Sequence, residues 1–128
     1  MIKITWNDHE DQVGSIDELD RALDDIHTRL RCAEPELVTV ERPNGDSLSI
    51  GLGREDISVM NYVGVDQDPP YFTSSGGSDV DEAIAFRFGG EWSEFPLRNG
   101  IPIQRARAAM RHFCETGQLS EEVIWEEA

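Results

Sequence analysis

The chain has 128 residues, a length that suits one domain with its own hydrophobic core, and we predict a single domain over residues 1–128. Its 26 acidic and 11 basic residues give a formal net charge of -15. Such a charge repels phosphate, so it disfavours binding to DNA, RNA or anionic membranes and favours a basic protein partner. Acidity that serves only solubility is the alternative explanation.

Two cysteines, Cys32 and Cys114, are too few for a disulfide framework, and the first residues do not resemble a signal peptide. We therefore predict reduced thiols and a cytoplasmic location. Residues 1–6 are predicted to form an edge strand, and Asn7 to Gly14 a polar turn.

A first helix is predicted from Ser15 onwards, because Ser15 and Glu18 have the spacing of a capping box. Its apolar residues recur at spacings of three and four, which places them on one face: Ile16, Leu19, Leu23, Ile26 and Leu30. Pro35 is expected to end it. His27 and Cys32 have no visible third ligand nearby, so we predict no metal site.

Three consecutive antiparallel strands are predicted over residues 37–42, 47–52 and 57–63. Asn44-Gly45 lies between the first two and accepts the backbone angles of a tight hairpin turn. In the second run apolar and small polar residues alternate, which predicts one buried face and one face near water. The third run is apolar on both parities and is expected to be covered on both faces.

In the second half of the chain, the sequence predicts a short extended segment at 71–73, a loop at 74–79 and a strand over 81–88. Ile84, Phe86 and Phe88 share one parity of that strand and are predicted to point into the core. The glycine-serine loop lacks the lysine of a phosphate-binding loop, so nucleotide binding is not predicted.

A second helix is predicted from Pro102 to Thr116, with Gly117 as its cap. Its buried stripe comprises Ile103, Ala106, Met110 and Phe113. Arg105, Arg107 and Arg111 are expected to be solvated or to pair with acidic regions, and residues 122–125 to add a short strand anchored by Trp125. The predicted fold class is α+β: an antiparallel sheet of four to six strands with two packing helices.

Charge is distributed unevenly along the chain. Residues 55–86 contain seven acids and no lysine or arginine, whereas residues 98–111 contain four arginines and no acid. We therefore predict an electrically two-sided molecule.

Catalytic chemistry is not indicated. The three histidines lie in unrelated contexts, and no serine or cysteine sits in a nucleophile motif. A small-molecule enzyme would need a pocket with perturbed ionisable groups, which the sequence does not indicate. We predict no enzyme activity, no cofactor and no metal.

The order of features resembles one protein family. Its most specific parts here are Ser75-Gly76-Gly77, Gly89-Gly90-Glu91-Trp92 and Val123-Ile124-Trp125. Over nearly its whole length the chain resembles the small bacterial immunity proteins of polymorphic and contact-dependent toxin systems, in particular the family often encoded beside cytidine-deaminase toxins. The resemblance implies neutralisation of a toxin domain by tight binding, and no catalytic residue carries over. Members of that family also pair with other toxins, including nucleases.

The sequence also yields a predicted contact surface, because acids in loops without a local cation suit a basic toxin cleft. Its residues are Asp66, Asp68, Asp79, Asp81, Glu82, Glu91, Trp92 and Glu94. Trp92 is either an exposed interface anchor or part of the core, and the acids are either contacts or solvated loops. The alternative function is an acidic adaptor or regulatory protein with another basic protein partner.

Overall fold

The computed structural model describes residues 2–67, 69–88 and 90–127. Within these residues lie two α-helices and eleven β-strands. The helices are α1 (Ile16–Arg31) and α2 (Ile103–Thr116). The strands are β1 (Ile2–Trp6), β2 (His9–Val13), β3 (Glu36–Glu41), β4 (Ser47–Leu52), β5 (Ile57–Ser58), β6 (Met60–Val63), β7 (Phe72–Ser75), β8 (Ala83–Phe88), β9 (Glu91–Pro96), β10 (Ile101–Pro102) and β11 (Ile124–Glu127).

Nine strands of the described chain form one sheet, in which β11-β7-β6-β4-β3-β1-β2 are neighbours in that order. The β8–β9 hairpin joins this sheet through β3, while β5 and β10 pair separately. The strand pairs are antiparallel, apart from the single β3–β8 bridge between Glu36 and Arg87. The predicted α+β class with an antiparallel sheet is confirmed, but the prediction of four to six strands is wrong.

The N-terminal hairpin accounts for part of the missed strands. β1 was expected at an edge, yet it pairs with β2 on one side and with β3 on the other. The predicted polar turn over residues 7–14 is mostly strand β2, which turns back at Trp6↔His9 with Asn7 at φ 52. β2 carries four exposed polar residues and no apolar alternation, so pairing with β1 holds it extended.

Both helices begin where local signals predict, and α2 also ends where its signal predicts. At the start of α1, the Glu18 N–H donates to Ser15 Oγ at 3.1 Å, and Glu18 Oε2 accepts from the Gly14 N–H at 2.9 Å. At the end of α2, Gly117 is left-handed with φ 77, and its N–H donates to the Phe113 carbonyl at 2.7 Å. α1 stops at Arg31, four residues before Pro35.

The main core lies between the helices and one face of the sheet. Its helical members include the two predicted stripes, although Ile16 is only half-buried. The sheet contributes inward residues from β1, β3, β4 and β6: Ile4, Val38, Val40, Leu48, Ile50, Leu52 and Met60. Burial of these side chains stabilises the fold by about 1.5–3 kcal/mol for each large residue.

The β3–β4 hairpin is confirmed. Arg42 N–H donates to the Asp46 carbonyl at 2.9 Å, Gly45 has φ 100, and Glu41 lies opposite Ser47. Glycine tolerates that positive φ without a steric penalty, so the turn fixes the register of the sheet's two central strands.

A second, smaller cluster covers part of the opposite sheet face. The expectation that this side of β4 stays near water is therefore wrong. Phe86 of β8 is fully buried over Gly51, where an added Cβ would lie 2.5 Å from a ring carbon. Leu37 and Val59 complete the cluster. The run at 57–63 is interrupted at Val59, which faces this cluster while Met60 faces the main core. The predicted cover on both faces is found at these two residues, whereas residues 61–63 are half-buried.

The predicted burial of β8 holds only in part. Phe86 is buried and Ile84 is half-buried, but Phe88 is 52% exposed. The hairpin leaves the sheet at this point, since its single bridge to β3 is at Arg87. Phe88 therefore extends past the residues that would have covered it.

Three of the four arginines in residues 98–111 pair with acids from other elements, one of the two options predicted, whereas Arg105 is exposed. Arg107 bonds to Asp24 at 2.7 Å, and Arg111 to Asp20 at 2.5 Å, which links α2 to α1. Arg98 lies 3.3 Å from Glu126 of β11. Trp125 of the same strand donates to the Ser120 carbonyl at 3.0 Å and packs against the core, as predicted.

Neither helix of the described chain has the length and apolar character needed to span a membrane.

Candidate protein-binding site

The acids predicted to contact a partner occupy connections at two ends of the sheet. Asp66 is exposed in the β6–β7 connection, on the side of the β3–β4 turn, where a Cβ added to Gly45 would lie 3.6 Å from Val65. Asp79, Asp81 and Glu82 are exposed in the β7–β8 connection, which leaves β7 at its other end. Asp68 lies outside the described residues. The structure therefore separates Asp66 from the other described acids of this set.

Three of these acids are brought together by the β8–β9 hairpin. Asp81, Glu82 and Glu94 line one shallow groove of ≈ 440 Å³ beside Phe95. Antiparallel pairing of Ala83 with Pro96 and of Ala85 with Glu94 causes this convergence, because it lays the start of β8 against the end of β9. The groove is open to solvent and carries negative charge, so it suits a cationic side chain of a partner.

Trp92 is 53% exposed, so a core position for this residue is wrong. It lies opposite Arg87 in the hairpin, and the Arg87 guanidinium is 5.9 Å from the ring centroid. Arg87 also bonds to Glu34 and, at 2.9 Å, to the Gly90 carbonyl. These contacts hold the indole beside a fixed cation on the outward side of the hairpin, where a partner can reach it.

The opposite side of the hairpin faces a polar part of the sheet that sequence reasoning missed. Cross-strand pairing aligns one polar residue from each of five neighbouring strands, and we call this set the polar row. Its members are Thr5, Thr39, Ser49, Asn61 and Thr73. Two side-chain hydrogen bonds link neighbours in this row. The Thr39 and Ser49 hydroxyls lie 3.0 Å apart, and Thr73 Oγ1 donates to Asn61 Oδ1 at 3.2 Å.

Two hollows lie between the polar row and the hairpin. One of ≈ 310 Å³ is lined by Thr5, Thr39 and Lys3, and the other of ≈ 380 Å³ by Ser49, Asn61 and Thr73. Leu37 and Phe88 line both. We call the combined depression the hairpin–sheet groove. Phe88 stands at its middle, with half of its surface exposed to solvent.

Beside the hairpin, Glu36 places a carboxylate in the protein interior. It is 4% exposed, and its Oε2 has no hydrogen-bond partner among the described residues. Burial raises the pKa of Glu36, while the nearby Arg87 charge and a hydrogen bond from the Asn7 backbone oppose that shift. Glu36 also borders an open hollow of ≈ 500 Å³ that Asn7 and Arg87 line as well.

Cys114 and His27 have structural environments. Burial raises the pKa of Cys114 to about 12, so the thiol stays protonated and is a poor nucleophile. His27 Nδ1 accepts from the Gly53 N–H at 3.0 Å, and burial lowers the pKa of its imidazole. Among the described residues no three side chains of the metal-binding types converge.

Comparison with known proteins identifies the class of protein to which these surfaces belong. A family model for Immunity protein Imm1 matches residues 7–127. No match was found among curated proteins. The matched span contains α1, α2, the β8–β9 hairpin and four of the five strands that carry the polar row. This chain belongs to the Imm1 family of immunity proteins.

Proposed function

We propose that the chain protects its host cell by binding a cognate toxin domain, and that this toxin is a deaminase acting on nucleic acid. Membership of the Imm1 family supports neutralisation of a toxin. The deaminase target rests on the resemblance to immunity proteins that are often encoded beside cytidine-deaminase toxins. Inhibition occurs by binding alone, without a cofactor, in the cytoplasm where the nucleic-acid target lies.

The observation that carries the mode of inhibition is the convergence of Asp81, Glu82 and Glu94 beside an exposed Trp92. A deaminase that acts on nucleic acid holds phosphates on a basic surface around its pocket. An acidic protein can compete for that surface and block the cleft. Attraction between opposite charges also accelerates association, so the toxin is captured before it acts.

A survival assay tests the neutralising function. The toxin domain encoded by the neighbouring reading frame is expressed in a bacterial host, with and without this chain. We expect the chain to restore growth and to form a stable complex with the toxin. Unrestored growth, or a neighbouring frame without a toxin domain, would favour the acidic adaptor instead.

Charge reversal tests the predicted contact surface. Replacing four acids by lysine should slow association and weaken protection, most strongly at low salt, because lysine repels a basic cleft. These four residues are Asp66, Asp68, Asp79 and Asp81. Association rates by surface plasmon resonance at two salt concentrations give the readout.

A control variant with the same number of acids replaced by lysine at another place distinguishes the loss of a local contact from the effect of the changed net charge. Four exposed glutamates near the C-terminus serve for this control: Glu115, Glu121, Glu122 and Glu127. We expect the control to lose less of the association rate than the test variant. An unchanged rate and full protection by a folded test variant would exclude this surface and direct attention to the acidic outer face of α1.

A further inference from the structure

We infer that the hairpin–sheet groove binds one extended, basic loop of the toxin domain, and that an arginine of that loop stacks on the Phe88 ring. This inference rests on the proposed function and adds a contact to it. Apart from Glu91, the described acids of the predicted contact surface lie on connections or on the outer side of the hairpin, whereas this groove lies on its inner side. The argument uses shape, hydrogen-bonding groups and charge.

The dimensions of the groove fit an extended peptide. The polar row crosses five neighbouring strands, from Thr5 of β1 to Thr73 of β7. Four strand spacings of about 4.8 Å give a length of roughly 19 Å, which about six extended residues would span. Leu37 and Phe88 line both hollows, so the two parts can accept one continuous segment.

The side chains on the groove floor can bond to a peptide backbone. The contact between the Thr39 and Ser49 hydroxyls uses one donor and one acceptor, although each hydroxyl offers one donor and two acceptor sites. Asn61 accepts from Thr73 through its oxygen, and its amide nitrogen carries two donors. Ser49 and Thr73 are each only 9% exposed. A partner's N–H and C=O groups would therefore meet matching groups at Thr5, Thr39 and Asn61, without disturbing the bonds within the row.

The charge around the groove favours a basic segment. Carboxylates at its margin come from β2, β3, β9 and β11: Glu10, Glu41, Glu91 and Glu126. Two cations lie among them: Lys3 is 3.2 Å from Glu41 and 3.7 Å from Glu10, and Arg98 is 3.3 Å from Glu126. Four carboxylates and two cations leave a net charge of -2 at the margin. The margin therefore remains negative, as does the whole chain at -15. A second copy of the chain would bring the same charge and be repelled.

Phe88 and Glu91 form the most specific part of this surface. They lie directly opposite each other at the end of the β8–β9 hairpin, and both are exposed. A guanidinium can stack on an aromatic face while it bonds to a neighbouring carboxylate. The chain itself stacks a guanidinium on a phenylalanine, because Arg54 lies 5.3 Å from the Phe86 ring centroid while it donates to the Ala85 carbonyl. An arginine from the toxin loop fits the corresponding position at Phe88.

Two substitutions test the groove against matched controls. Thr5→Arg places bulk and positive charge at an exposed position of the polar row, and Thr28→Arg makes the same change on the exposed side of α1. Phe88→Ala removes the exposed ring, and Ile124→Ala trims a side chain that is 71% exposed on β11. Affinity for the catalytically inactivated toxin domain of the neighbouring reading frame is measured by calorimetry, and melting curves check that each variant is folded.

We expect Thr5→Arg and Phe88→Ala each to weaken binding at least tenfold, while Thr28→Arg and Ile124→Ala stay within threefold of the wild type. Hydroxyl-radical footprinting of the unmodified complex should show protection of Phe88 but not of Ile124, a readout that needs no variant. Wild-type affinity in both groove variants together with an unprotected Phe88 would overturn the inference and leave the proposed function standing. A concentration-dependent dimer abolished by Thr5→Arg, with unchanged toxin binding, would overturn it too. Failure of the wild type to bind the toxin would instead remove the proposed function, and the inference with it.

Discussion

Burial opposes the ionisation of Glu36, and this has a consequence for stability. Its carboxylate is 4% exposed, and burial raises its pKa above the ordinary value of 4.5. The folded state therefore binds this proton more tightly than the unfolded chain does. The resulting stabilisation is complete below the ordinary pKa and is lost as the pH rises through the folded-state value.

Glu36→Gln should accordingly stabilise the protein at neutral pH. Glutamine resembles the protonated acid and keeps an oxygen that can accept from the Asn7 backbone, which bonds to Glu36. The advantage should shrink as the pH falls towards 4.5, because wild-type Glu36 then becomes neutral as well. Urea unfolding of both proteins across this pH range gives the measurement, with exposed Glu121→Gln as the control. A variant that is less stable than the wild type at neutral pH would show that Arg87 outweighs burial.

At the level of elements, the attachment of the β8–β9 hairpin depends on Phe86. This ring is fully buried against Gly51, whereas Phe88, two residues along the same strand, is 52% exposed. Phe86→Ala should cost about 3–5 kcal/mol, the usual range for removing a buried phenylalanine ring. Phe88→Ala should change the free energy of unfolding by only about 0.5 kcal/mol, as exposed sites do. Equal losses in the urea unfolding of the two variants would contradict this assignment of the faces.

Phe86 and Phe88 show what a sequence pattern can predict about burial and what it cannot. Helix limits follow from contacts only a few residues apart, such as Ser15 with Glu18, and these were predictable. The parity of β8 correctly placed Phe86 inside. It could not show that Phe88 lies beyond the sheet, because that depends on where the hairpin meets β3, at Glu36. β2 was missed for a related reason, since its polar sequence becomes a strand only through pairing with β1.

The candidate site was predictable to a similar extent. The acids of the β7–β8 connection and of β9 could be selected by charge alone, but the polar row combines residues as distant in sequence as Thr5 and Thr73. Their types are ordinary for strand positions near water. They form one surface only after five strands align in register, which is a property of the whole sheet.

For the whole molecule, the decisive quantity is the net charge of -15. Folding brings these like charges closer together, and their repulsion lowers stability when little salt is present. Surface ion pairs act in the opposite direction, but they contribute only about 0–1 kcal/mol each. Arg29 and Asp25, for example, form a pair with side chains 62% and 61% exposed. Screening should therefore relieve more repulsion than it removes attraction.

We accordingly expect sodium chloride to stabilise the protein between about 10 mM and about 150 mM, where the screening length falls from roughly 30 Å to 8 Å. A gain of about 1 kcal/mol would raise the melting midpoint by roughly 4 °C for a domain of this size. Calorimetry at several salt concentrations checks the direction. The variant with glutamine at positions 115, 121 and 122 should melt higher at low salt and respond less to added salt, because it begins with less repulsion. A midpoint that falls over this range would mean that the ion pairs between α1 and α2, through Arg107 and Arg111, outweigh the net charge.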